Sequence, residues 1–438
     1  MSSVLLVYPY FDPPRNRSIF RFPPLGPAYV AASLRAAGHD VTILDCTFLS
    51  REAALDRVQT AEVDVVGVYI MMTMRGDALA LARAARGRCR LLVAGGPLPS
   101  CDPDAYTTDF DVVVRGEGER AMAEVLDTFE RGTLDELPIV VGPPSLAADL
   151  DSLPSPARDL LPNADYLAHW RRRGARSTTS VVTTRGCPFH CEFCSNAVFG
   201  VSYRARSAAS VLDEVEEALS YGFERIHFAD DVFTLDRRRL MDICAEIKRR
   251  GLRFGWECLG RVDSVDAETA AAMKRAGCER IFFGIESGSD ATLALMNKRI
   301  TVEKAQRAVE AARSAGLSAG AFFILCYPGE DDETVLTTLR FATRLPLDYV
   351  SFTMPYPLPH TALYDRLANQ VTKEWVPPEH QIVDHVRIYD GEYSQAKMRF
   401  AILKGRVEFF LRHRLGRAAP LIVNPLEIAT DVIFRLMR

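Results

Sequence analysis

Runs rich in Val, Ile and Leu alternate along most of the chain with segments whose apolar residues recur every three or four positions. SVLLVYP (3–9), DVTILD (40–45), DVVGVYI (64–70), RLLVAGG (90–96) and DVVVRG (111–116) carry few polar interruptions, the pattern of parallel strands covered on both faces. AYVAASLRAAG (28–38) and GDALALARAARG (76–87) have helical spacing and stop at Gly. Residues 1–140 therefore predict an open, doubly wound α/β domain of Rossmann type, whose ligand sits beyond the strand ends.

Residues 141–178 lose the periodicity and are rich in proline, which predicts a linker. From Thr179 the alternation resumes. TSVVTTRG, ERIHFADD, RFGWECLG, ERIFFGIESG, SAGAFFILCYPG and DYVSFTMPYPLP read as strands, with helical patterns between them. Six such units over 179–366 predict a partial (β/α)6 barrel, because closure needs eight. Ser207 or Ser210 is placed to cap the first of its helices and Asp266 the third. Residues 367–438 predict a mostly helical tail. Its basic amphipathic stretch KMRFAILKGRVEFFLRHRLGR (397–417) has two readings, a helix on a membrane surface or a lid packed over the barrel.

At 438 residues the chain is long enough for two or three domains. A net charge of -4 with 25% charged residues gives no basic excess, which argues against nucleic-acid binding. There is no uninterrupted run of 18 apolar residues, so no transmembrane segment is expected, and the N-terminus reads as a first strand and not a signal peptide. The expectation is a cytoplasmic protein with reduced thiols.

Ten cysteines are present, and three of them, Cys187, Cys191 and Cys194, crowd into TTRGCPFHCEFC. Three thiolates suit a four-iron cluster with one iron left open, whereas structural zinc usually takes four ligands. His190 inside the loop keeps a zinc site open as an alternative. The loop follows a strand, at the end of the barrel where β/α folds carry their chemistry.

CPFHCEFC resembles the C-x3-C-x2-C signature of the radical S-adenosylmethionine (SAM) superfamily. The resemblance implies a [4Fe-4S] cluster on Cys187, Cys191 and Cys194, with SAM on the open iron and an external electron donor such as flavodoxin or ferredoxin. Reductive cleavage of SAM would then give a 5′-deoxyadenosyl radical. By the same resemblance Phe193 lies near the adenine, and Asp230 and Asp231 in ERIHFADDVF meet the SAM amino group. Arg261 in GRVD meets its carboxylate, and Glu286 and Ser287 in IFFGIESGSD lie near the ribose. The residue types suit the ligand, since SAM presents a cation, a carboxylate and hydroxyls. Turn capping by Asp230 and Asp231, and a salt-bridged Glu286, are the plainer alternatives.

The front domain resembles the N-terminal cobalamin-binding domain of the branch that carries both modules. FPPLGPAYVAASLRAAGHDVTILD, DVVGVYIMMT, VAGGPLPS and VVRGEGE follow that branch. Gly95, Gly96, Gly116 and Gly118 would let backbone approach a flat ligand. The D-x-H-x-x-G motif that supplies an axial histidine is absent, and Leu98 stands where the branch often has His. Met71, Met72 and Met74 either crowd the cofactor site or pack a core. From these departures the expectation is that cobalamin is absent.

The layout also resembles the enzymes that deoxygenate aminoglycosides, typified by the apramycin-pathway enzyme acting at C3′ of paromamine. That implies a dehydratase or lyase of antibiotic biosynthesis, abstracting the C4′ hydrogen and eliminating the C3′ hydroxyl as water. The 4′-keto, 3′-deoxy product would pass to an NAD(P)H-dependent reductase. Cys326, where relatives often have Gly, would donate a proton or hydrogen atom or else fill core space, and Glu216 and Glu257 would hold substrate ammonium groups. The alternative is a cobalamin-dependent C-methyltransferase acting on a small-molecule natural product.

Overall fold

The computed structural model describes residues 1–11, 21–136, 138–142, 146–372 and 387–437. Residues 12–20 of the front domain, 137 and 143–145 at the linker, and 373–386 of the tail lie outside the described residues. The described chain divides into two units. One comprises Met1–Pro188 and Ser195–His227; the other comprises Phe189–Cys194 and the chain from Phe228 onward.

In the first unit, β1 (Ser3–Tyr8), α1 (Leu25–Ala36), β2 (Asp40–Asp45), α2 (Arg51–Gln59), β3 (Val65–Tyr69) and α3 (Arg75–Ala85) follow in order. They are succeeded by β4 (Leu91–Gly95), α4 (Pro97–Cys101), β5 (Val112–Val114), α5 (Gly118–Arg131) and β6 (Val140–Val141). The strands form one parallel sheet in the order β2-β1-β3-β4-β5-β6. Side-chain alternation along β1 explains why it is covered twice. Val4 and Leu6 join one apolar cluster with α1 and α5, while Leu5 and Val7 join the other with α2 and α3.

The stretch read as a linker is more ordered than its prolines suggest. It supplies the sixth strand's end and a helix, α6 (Asn163–Arg172), whose Tyr166 and Trp170 are buried. Tertiary packing outweighs the weak local pattern there.

The second α/β part begins with β7 (Thr178–Val181) and a short antiparallel pair, β8 (Thr184–Arg185) with β9 (Arg204–Ala205). Then come α7 (Ala208–Ser220), β10 (Arg225–Phe228), α8 (Arg237–Arg250), β11 (Gly255–Gly260), α9 (Ala267–Arg275) and β12 (Cys278–Glu286). α10 (Asp290–Leu295), α11 (Val302–Ser314), β13 (Ser318–Ile324), α12 (Asp332–Arg344) and β14 (Tyr349–Thr353) complete it. Its sheet runs β14-β13-β12-β11-β10-β7, six strands that do not close. Ser207 caps α7 through the Ser210 N–H, and Asp266 caps α9 in a reciprocal box with Thr269, each cap contributing about 1 kcal/mol.

The tail holds α13 (Ala362–Leu367), α14 (Gln395–Leu415) and α15 (Ala419–Leu436). The fold class expected from the sequence, a cobalamin-binding-like α/β domain, a partial barrel and a helical C-terminal region, is the one observed.

Candidate active site

In the second unit the residues singled out from the sequence collect after the C-terminal ends of consecutive strands. Asp230 and Asp231 follow β10, Arg261 follows β11, Glu286 ends β12 with Ser287 just after it, and Cys326 follows β13. Asp230 is buried and Asp231 exposed. Two of the set adopt left-handed backbone, Glu286 at φ 71° and Cys326 at φ 59°. Non-glycine residues in that region carry strain and cluster at functional sites. A positive φ also gives a physical reason for glycine to be favoured at the Cys326 position.

Arg261 makes a two-pronged ion pair with Asp263 (2.9 and 3.0 Å), donates to the Lys298 carbonyl (3.1 Å) and lies 3.5 Å over the Phe189 ring. Glu286 accepts from Lys298 Nζ at 2.8 Å. Lys298 is itself buried. Burial alone would lower its pKa, but the Glu286 carboxylate overrides this and holds the ammonium above its ordinary range. Phe193 stands edge-on to Tyr327, with Lys298 Nζ 5.8 Å from its ring centre. Ser287 is fully buried and its hydroxyl is shared with Thr338 at 2.9 Å.

Cys326 is 0% exposed. Burial pushes its thiol well above the ordinary range, the Glu330 carboxylate adding to this and Lys397 opposing it. Glu330 accepts from the Tyr327 N–H (2.7 Å) and from Thr292 (3.0 Å), and burial raises its pKa to about 7. Glu257 lies within β11, three residues before its end, buried and 3.6 Å from Arg280. Glu216 is exposed on α7; the carboxylate that α7 buries is Glu214.

The cysteine loop is tied down on both flanks. In the first unit Arg185 pairs with Glu119 (2.5 Å) and Glu117 (3.5 Å). Gly186, at φ 85°, sits so close to Ser202 that a Cβ there would meet the Ser202 carbonyl oxygen at 2.2 Å, so only glycine fits. In the second unit Glu192, between two of the cysteines, takes a hydrogen bond from Tyr327 (2.6 Å) and two from Arg366 (2.7 and 2.9 Å). Its N–H donates to the Met296 carbonyl (2.9 Å), and its carbonyl accepts from the Leu363 N–H (2.9 Å). The loop pattern alone does not reveal Glu192, Lys298, Tyr327 or Arg366, because each acts through residues distant in sequence. Cys187 and Cys191 are half-buried and Cys194 is exposed. Among the described residues no three His, Cys, Asp or Glu side chains already form a metal-binding group. His190 is exposed, and its carbonyl accepts from Asn297.

In the first unit the ends of β1 and β3 carry Tyr8 and Tyr69, with ring centres 5.4 Å apart. Beside them Gly96, at φ 106°, lies where a Cβ would meet the Ile70 carbonyl oxygen at 2.9 Å. Ser100 ties the two glycine loops together, donating to the Gly96 carbonyl (2.7 Å) and accepting from the Gly116 N–H (2.9 Å). Among the described residues the Thr73 hydroxyl is buried without a partner, an acceptor and donor left for a ligand. Met74 is buried, whereas Met71 and Met72 are half-buried. These strand ends fit a large flat ligand approached by backbone. His39, the sole histidine before residue 150, lies at the start of β2, on the opposite edge, with its Nδ1 taking the Ser2 N–H.

Residues 181–342 match the radical SAM superfamily, and residues 17–126 match the B12 binding domain. An uncharacterized methyltransferase of Pyrococcus horikoshii is 33% identical over 92% of this chain and 92% of its own. The hopanoid C-3 methylase of Methylococcus capsulatus is 31% identical over 82% of this chain and 71% of its own. In fold the chain is similar to the radical SAM methyltransferase TsrM from Kitasatospora setae, with TM-score 0.70 and 21% identity over 84% of this chain and 74% of that one.

These findings overturn two expectations. The B12 binding match replaces the expected absence of cobalamin. Leu98 packs against one of the apolar clusters of the sheet, and lack of an axial histidine removes one cobalt ligand without removing the glycine-lined strand ends. The aminoglycoside dehydratase reading also falls, together with its lyase chemistry, antibiotic pathway and dedicated nicotinamide-dependent reductase, because the relatives at least 30% identical over most of the chain include a methyltransferase and a methylase. With its B12 binding match ahead of its radical SAM match and a relative one-third identical along nearly its whole length, the chain belongs to the radical SAM superfamily, in the branch that carries a cobalamin-binding domain.

Proposed function

We propose that the protein is a cobalamin-dependent radical SAM methyltransferase that places a methyl group on a carbon of a small molecule. The observation that carries this reading is the paired domain match in a chain aligned at 33% identity with a methyltransferase over 92% of both sequences. When bound, the iron–sulfur cluster supplies the electron that cleaves SAM, and cobalamin supplies methyl-group transfer.

This chain's own residues divide the remaining work. Cys187, Cys191 and Cys194 would hold the cluster, and Glu192 fixes the backbone between two of them through Tyr327 and Arg366. Asp230 and Glu286 offer carboxylates for the SAM ammonium and ribose, and Arg261 a cation for its carboxylate. Lys298 holds the Glu286 carboxylate in place through its 2.8 Å hydrogen bond. Phe193 gives an apolar face for the adenine. In the front domain Gly96 lets the chain turn closely against Ile70, and Thr73 offers its hydroxyl. Cys326 and Glu330 form the strained, buried turn behind β13. An external low-potential protein such as flavodoxin or ferredoxin would deliver the electron.

The reading is tested by titrating anaerobically reconstituted protein with cobalamin and following corrinoid absorbance. Saturable one-to-one uptake is expected, together with about four irons per chain. Reconstituted protein that takes up no corrinoid contradicts the reading. Replacing Cys187, Cys191 and Cys194 with Ser should abolish iron uptake and SAM cleavage; SAM cleavage that survives would count against the cluster assignment.

A further inference from the structure

Helices α14 and α15 bury one face and leave the other uncovered among the described residues. Nine of the fourteen exposed large apolar side chains lie between residues 403 and 436, so the exposed apolar surface is concentrated in this pair. On α14, Leu403 is 59% and Phe410 63% exposed, with Val407 between them. On α15, Leu421, Ile428 and Val432 are exposed by 81, 68 and 53%. Neither helix is long and apolar enough to cross a membrane.

The charge on the pair is one-sided. Residues 395–438 contain nine Lys and Arg against three Asp and Glu, in a chain whose net charge is -4. All three acids are engaged inside the packing. Glu408 pairs with Lys404, Glu427 with Arg344 and Arg412, and Asp431 with Arg340 and Lys404. The side chains of Arg399, Arg406 and Arg414 are exposed. Positions 399, 403, 406, 407, 410 and 414 fall on one stripe at the helical period, so arginine and large apolar side chains share a single face.

We propose that this face docks on an anionic lipid surface. Apolar side chains can enter the boundary between headgroups and acyl chains while arginines stay at the phosphate level, the arrangement of a helix lying in the membrane plane. Two copies of the face meeting about a twofold axis would bring arginines toward arginines, which disfavours self-association. Lipid phosphate meets the same cations with the opposite sign. The surface lies on the tail helices and does not depend on which methyl acceptor the enzyme uses.

Sedimentation of the full-length, reconstituted protein with vesicles tests the proposal. Vesicles of phosphatidylcholine with an anionic fraction of phosphatidylglycerol should bind it, and phosphatidylcholine alone should bind it far less. Each surface cation contributes about fivefold. The triple variant Arg399→Gln, Arg406→Gln, Arg414→Gln should therefore lose about 100-fold in partitioning, and Leu403→Ser with Phe410→Ser should also weaken it. These side chains are exposed, so unchanged circular dichroism is expected for the variants. Equal partitioning into neutral and anionic vesicles, or none into either, overturns the proposal. So does a concentration-dependent dimer that Leu403→Ser with Phe410→Ser abolishes.

Discussion

Cys326 combines two costs at one position, a left-handed backbone and a buried thiol held protonated. Replacing it separates them. Cys326→Ala loses the packing and keeps the strain, whereas Cys326→Gly loses the same packing and relieves it. The glycine variant should be the more stable of the two by about 1 kcal/mol, measured by urea denaturation; an alanine variant equal to or better than glycine would refute this. Glu330 makes a second prediction at this scale. Its carboxyl titrates near 7 in the folded chain, above its ordinary 4.5, so the folded state binds the extra proton between those values. Its contribution to stability is full below pH 4.5 and is lost as pH rises through 7, by up to about 3 kcal/mol. Subtracting the profile of Glu330→Gln from that of the parent should leave that decline, and identical profiles would exclude it. Cys326 was legible in the sequence as an odd residue at a glycine-like place. Its strain and the Glu330 carboxyl beside it were not, because both depend on the turn after β13.

The cysteine loop is an element whose spacing could be read directly and whose supports could not. The C-x3-C-x2-C pattern identifies the ligands, but the Glu192 clamp draws on Tyr327 and Arg366, 135 and 174 residues away in sequence. Removing a group that orients metal ligands typically costs 10- to 100-fold in metal affinity. Glu192→Ala is therefore expected to retain about tenfold less iron after desalting than the parent; equal retention would show that the clamp does not position the loop. Helix α7 shows the same limit. Its amphipathic pattern and Ser207 cap were legible, yet Glu216 is exposed, and Glu214 is buried between Arg158 and Arg206 with Tyr29 donating to it. A single carboxylate facing two buried guanidinium groups is hard to remove. Glu214→Gln should destabilise the protein by about 3–5 kcal/mol, seen as a lower midpoint in chemical denaturation, and a loss below 1 kcal/mol would contradict that placement.

At the scale of the whole molecule, periodicity carried the fold class. Uninterrupted apolar strands predicted parallel sheets, and the count of six predicted an open barrel, both as observed. The reaction is less legible, because a missing residue says less about a site than the residues that build it. A missing axial histidine and Leu98 describe one ligand of cobalt, whereas the glycine-bearing ends of β4 and β5 and the B12 binding match describe the whole domain. The proposed chemistry is tested most directly by following the methyl group. Reconstituted protein would be given cobalamin, reductant, SAM deuterated in its methyl group and an extract of candidate small molecules, and the products weighed by mass spectrometry. The account predicts 5′-deoxyadenosine and a product carrying one transferred deuterated methyl, formed only when cobalamin is present. A product that has lost water and gained no label would contradict it.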